Sequence, residues 1–101
     1  MDLERYRPLF FAEAWERIDA IDRSLAGGPP YPPQALSEVR LQAHTLGGMA
    51  AAMSEPGLVA AAQEVEKAAG AAADAANVLE AAGRLRALLA ASAAKPRQAG
   101  A

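Results

Sequence analysis

The residue best suited to chemistry is His44, the only histidine in a chain of 101 residues. It stands in the run Ala43-His44-Thr45-Leu46-Gly47-Gly48, inside a segment of helical pattern. Glycine within a helix costs about 1 kcal/mol relative to alanine, and this chain is rich in alanine. Three and four residues past His44, the two glycines are its neighbours on the helix surface. The imidazole therefore stands over bare backbone that another molecule can approach closely.

The chemistry open to such a residue is narrow. Zinc needs three or four ligands, and the chain has no cysteine and no second histidine. A Ser-His-Asp hydrolase needs a nucleophile elbow and an oxyanion loop, and neither pattern occurs. Gly47-Gly48 lacks the Lys-Ser/Thr pair that completes a phosphate-binding loop. What remains is histidine as a nucleophile that carries a group covalently. Histidine titrates near neutral pH, and its neutral ring offers one bare nitrogen. A carboxylate accepting the Nδ1 proton would fix the tautomer, leave Nε2 free to attack and stabilise positive charge on the ring. That carboxylate has to come from a neighbouring helix. The plainer alternatives are an ordinary surface histidine and a glycine pair serving helix packing or a kink. Neither explains why the pair falls beside the only imidazole.

Four helical segments must position this residue, and none of the chain alternates with a period of two. The first runs from about Arg5 to Leu25, with Phe11, Ala14, Ile18, Ile21 and Leu25 repeating at three and four residues. Gly27-Gly28-Pro29-Pro30-Tyr31-Pro32-Pro33 ends it. The second runs from about Pro33 to Met53 on the stripe Leu36, Val39, Ala43, Leu46, Ala50 and Met53. His44 is turned about 100° from Ala43, on the flank of that stripe. The third starts at Ser54-Glu55-Pro56-Gly57, with Ser54 as cap and Glu55 at the positive end of the dipole. It carries Leu58, Ala61 or Ala62, Val65 and Ala69, and Gly70 ends it. The fourth starts at the candidate cap Asp74 and carries Val78, Ala82, Leu85, Leu89 and Ser92. Amphipathic helices with short connections predict an all-α fold, an antiparallel up-down four-helix bundle over residues 1–94. Residues 95–101 read as a disordered tail, a truncated linker or a short fifth helix.

Composition removes other classes. A net charge of −2 argues against nucleic acid and against an anionic membrane surface. No apolar run reaches the ~18 residues of a membrane span, and no signal segment opens the chain. The absence of cysteine fits a reducing compartment. The expectation is a soluble, cytoplasmic domain without membrane insertion.

These residues resemble the histidine-containing phosphotransfer (HPt) family, and within it the N-terminal phosphotransfer domain of CheA-type chemotaxis histidine kinases. The family motif is His-Ser/Thr-hydrophobic-Lys-Gly in the second helix, usually after Ala; here it reads Ala43-His44-Thr45-Leu46-Gly47-Gly48. MDLERYRPLFFAEAWERIDAIDRSL is similar to the opening helix of such domains. GGMAAAMSEPGLVAAAQEVEKA is similar to the run from the histidine helix into the third. In CheA-like domains the third helix carries His-x-x-Glu, whose glutamate bonds the phosphorylatable histidine. The same place here reads Gln63-Glu64-Val65-Glu66. The resemblance implies that Glu66 orients His44 and that Gln63 stands where the second histidine would be. On its residues alone Glu66 reads as a solvated face residue, like Glu64 and Lys67. The likeness covers residues 1–70, and the fourth helix matches only as an amphipathic helix.

The resemblance implies a phosphoryl carrier with no independent catalytic activity. A histidine kinase catalytic domain would phosphorylate His44 from ATP, and a CheY-like response-regulator receiver would take the phosphoryl group onto an aspartate. No cofactor is expected in the domain itself, since the kinase binds ATP and the receiver binds Mg²⁺. Leu41, Met49, Ala51 and Ala52 are candidates for a small docking surface beside Gly47 and Gly48. One departure stands out: the family lysine is Gly47 here. Cations help phosphoryl transfer, so either the partner supplies them, with Arg40 as a partial substitute, or the domain is a degenerate adaptor that binds a receiver or kinase without carrying phosphate. Met1 just ahead of the first helix suggests the start of a longer kinase.

Overall fold

Aliphatic residues spaced three and four apart wind most of the chain into helices. A computed structural model describes residues 3–71 and 75–94. They form α1 (Leu3–Leu25), α2 (Pro33–Ala52), α3 (Pro56–Ala71) and α4 (Ala75–Ala94). Each helix packs against the next, and α4 returns to α1, closing a four-helix bundle. The core is apolar throughout: no polar or charged side chain is buried among the described residues. Ile18, Ile21, Leu46, Leu58, Leu85 and Leu89 fill it. Ala14, Ala43, Ala50 and Ala62, all fully buried, let the helix backbones come close. No helix among the described residues is long and apolar enough to cross a membrane.

Several local expectations need correction. α1 begins at Leu3 rather than Arg5 and includes Pro8. Its core position is Phe10, not Phe11. Both satisfy the helical step back from Ala14, but Phe11 lies at the rim under the Arg7 guanidinium, which stands 4.8 Å from its ring centre. On α4, Ala81 joins the buried stripe, and Ser92 is only half-buried. Gly70 lies inside α3, which continues to Ala71. Asp74 and the 95–101 tail fall outside the described residues.

The turn between α2 and α3 differs most from expectation. Ser54 does not cap α3; it ends α2. Its N–H donates to the Ala51 carbonyl at 3.1 Å, and the Glu55 N–H donates to the Ala50 carbonyl at 2.9 Å. This is the paired bonding of a Schellman motif, with Ser54 in the left-handed position usually held by glycine, at φ +59°. The Glu55 carbonyl accepts the first bond of α3, from the Val59 N–H at 3.0 Å. Pro56 follows as the first helical residue, where its missing N–H costs nothing. Arg7 clamps this end of the bundle. Its guanidinium donates to the Glu55 carboxylate at 3.0 Å and to the Ser92 carbonyl at 3.1 Å. Farther along the bundle Arg86 of α4 pairs with Asp22 of α1 and lies over the Trp15 ring.

A left-handed conformation strains any residue with a Cβ by about 1–2 kcal/mol. Ser54→Gly should therefore stabilise the protein by about 1 kcal/mol, read from the midpoint of urea unfolding. Ser54→Val should shift the midpoint the other way. Equal midpoints for all three proteins would show that the turn is not held as described.

Candidate functional site

The hairpin of α2 and α3 brings the site together. His44 and Glu66 lie equally far from Glu55 along the chain, so an antiparallel pair with its turn there sets them side by side. Each follows a fully buried residue, Ala43 or Val65, and so emerges at the rim of the core. The His44 Nδ1 stands 3.2 Å from Glu66 Oε2 and 3.4 Å from Oε1. An ionised carboxylate only accepts hydrogen bonds, so Nδ1 carries the proton and, in the neutral ring, Nε2 is bare. The His44 side chain is 75% exposed, against 35% for Glu66. The carboxylate is thus partly sheltered on the helix flank while the ring reaches into solvent.

The two glycines shape the ground beside the ring. His44, Gly47, Gly48, Ala51, Gln63 and Glu66 border a shallow hollow of about 250 Å³. A Cβ added to Gly47 would meet the Ala62 Cβ at 3.5 Å, an ordinary contact, and one added to Gly48 would meet nothing within 4 Å. Helix packing therefore requires neither glycine. What their absence of side chains provides is open surface next to the imidazole. The place of the missing lysine is not sterically closed.

The remaining candidate residues separate into different surfaces. Gln63 is exposed on α3, one turn before Glu66, and borders the hollow. Ala51 lies at the hollow's far edge. Arg40 turns toward α3, where Gly70 makes room: a Cβ there would sit 3.6 Å from the arginine Nε. That placement puts the guanidinium beyond Glu66 rather than among the hollow's walls. Leu41 is 58% exposed on the outer face of α2. Met49 and Ala52 face the other way, into a groove of about 450 Å³ shared with Leu3, Tyr6, Leu9 and Phe10 of α1. The α1 side of that groove was not legible as a surface in the sequence. Its signal was the exposed apolar pair Tyr6 and Leu9 at a spacing of three, Tyr6 one turn ahead of the buried Phe10. Among the described residues, no group of three His, Cys, Asp or Glu side chains could hold a metal ion.

The carboxylate contact predicts a tautomer. Nitrogen-15 NMR of the neutral form should show His44 protonated on Nδ1, and Glu66→Ala should move the proton toward Nε2 without loss of helix signal. An Nε2–H tautomer in the unsubstituted protein would contradict the geometry.

No curated protein and no solved structure matches the chain. The family model described as the Hpt domain matches residues 5–95, almost the whole chain. A four-helix, all-α bundle agrees with that match. The chain belongs to the Hpt domain family, the phosphotransfer domains of two-component signalling.

Proposed function

We propose that His44 is the phosphoacceptor of this domain and that Glu66 orients it. The observation that carries the reading is the contact of 3.2 Å between Nδ1 and the Glu66 carboxylate, on a ring otherwise open to solvent. The Nε2 lone pair attacks the γ-phosphorus of ATP held by a histidine kinase catalytic domain. The bond from phosphorus to the bridging oxygen breaks, and ADP leaves with its electrons. The ring keeps its Nδ1 proton and gains positive charge, which Glu66 offsets. In the second step a receiver aspartate oxygen attacks the phosphorus, the bond to Nε2 breaks, and the electron pair returns to the ring. ATP belongs to the kinase domain and Mg²⁺ to the receiver; the carrier supplies a positioned nucleophile on an accessible face.

The finer setting follows the resemblance in the first helix and at Gln63–Glu66. It is a CheA-like kinase, a CheY-like receiver and a cytoplasmic chemotaxis pathway. Of the four docking candidates, Met49 and Ala52 with the α1 groove form one docking face, while Ala51 borders the His44 hollow and Leu41 lies on the outer face of α2. Gly47 favours one competing reading, because no cation among the described residues borders the hollow. That reading is an adaptor that binds a receiver or kinase without carrying phosphate.

Incubation with a cognate kinase and labelled ATP separates the two. The carrier should gain acid-labile phosphate that His44→Gln abolishes. Equal labelling of the variant would overturn His44 as the acceptor, and no labelling of either protein alongside undiminished receiver binding would favour the adaptor. Gly48→Lys should keep its helix content and slow transfer to the receiver, because it fills the open ground. Unchanged transfer would mean that the bare surface is not needed.

A further inference from the structure

A phosphoryl group on His44 carries about two negative charges and three strong acceptor oxygens. It would arrive beside a carboxylate, Glu66, that already faces the ring. Such a group needs donors aimed at it. Among the described residues that border the hollow, Gln63 is the one side chain besides His44 that can donate a hydrogen bond. The backbone N–H groups of the α2 and α3 interiors are committed to their own helices.

The position of Gln63 suits the task. It lies one turn before Glu66 on α3, and it stands across the hairpin from Gly47, at matching distance from the turn at Glu55. Because Gly47 has no side chain, the carboxamide can lie over α2 toward the imidazole. Gln63 is exposed, and its amide has no hydrogen-bond partner among the described residues. Arg40 is not an equivalent donor, since its guanidinium extends over Gly70 on the far side of Glu66. Gln42 is already engaged: its amide donates to Glu38 at 2.6 Å and its oxygen accepts from Arg17 at 3.1 Å.

We propose that the Gln63 carboxamide donates a hydrogen bond to the phosphoryl group carried on His44, a neutral donor doing there what no cation in the hollow does. This rests on the reading of His44 as the acceptor. It makes Gln63 a contact of the phosphorylated state and predicts that the open space at Gly47 and the amide at Gln63 act together.

The test needs no kinase. Phosphoramidate transfers its phosphoryl group to a histidine nitrogen and releases ammonia. Nitrogen-15-labelled protein is treated with it, and the glutamine side-chain amide signals are followed, with Gln63→Met identifying those of Gln63. On phosphorylation the Gln63 amide signals should move while those of Gln42 stay. Gln63→Met keeps the length of the side chain but not its donor, at an exposed position that folding does not depend on. It should accept the phosphoryl group roughly tenfold more slowly, the effect of one hydrogen bond to a charged group. A phosphorylated His44 with Gln63 signals unmoved, or a Gln63→Met protein that reacts at the original rate, overturns the proposal. If the His44 ring signals show no phosphorylation at all, the acceptor reading falls, and this inference falls with it.

Discussion

The register between α2 and α3 decides whether this chain has a site. Neither half of the site is unusual alone: an exposed histidine sits on one helix and a half-exposed glutamate on the next. They become a pair because the connection at Met53, Ser54 and Glu55 is too short to allow another alignment. The Schellman bonds from Ser54 and Glu55 stop α2 at one residue. Pro56 starts α3 at once, and Arg7 ties Glu55 to α1 and to the end of α4. One residue more or fewer within α3 between the turn and Glu66 would rotate the glutamate by about 100° off the rim.

The apolar interior supports the same alignment from below. Ala43, Ala50 and Ala62 bring the two backbones together, and the contact a Cβ at Gly47 would make with Ala62 shows how close they are. A seam of small side chains packs well at one spacing only. This fixes the distance across which Glu66 reaches His44. The chemistry is thereby kept out of the core. The His44 side chain is 75% exposed, so the protein meets little desolvation cost for its reactive group. The helix instead accepts two glycines of low propensity in exchange for open surface. That arrangement suits a residue whose reaction is completed by other proteins.

Much of this was legible in the amino-acid sequence, for reasons that differ by feature. The four helices follow from spacing, and the stripe Leu36, Val39, Ala43, Leu46 and Ala50 is buried as that spacing requires. His44 was legible because it is the only imidazole and because glycine beside it is costly. Glu66 was not legible from its own surroundings, where Glu64 and Lys67 look alike; it emerged from family resemblance, and its contact depends on a tertiary register. The Ser54 turn misled because serine is a common cap. The sequence pattern does not reveal that its φ is positive, and the long-range contact of Arg7 with Glu55 leaves no local trace. Phe10 and Phe11 were interchangeable on spacing, and only the packing of Arg7 over Phe11 separates them. The α1–α2 groove was hidden because Leu9 is off the core stripe and Tyr6, one turn before Phe10, stays exposed beyond the stripe's end.

The account places a proton on Nδ1 and a phosphoryl group on Nε2 of the same ring. The most direct measurement is nitrogen-15 NMR of the phosphorylated protein, which distinguishes the two ring nitrogens by their coupling to phosphorus. The account predicts phosphorus on Nε2, with Nδ1 still protonated toward Glu66. Phosphorus on Nδ1, or a phosphorylated protein whose His44 ring is unmodified, would contradict it.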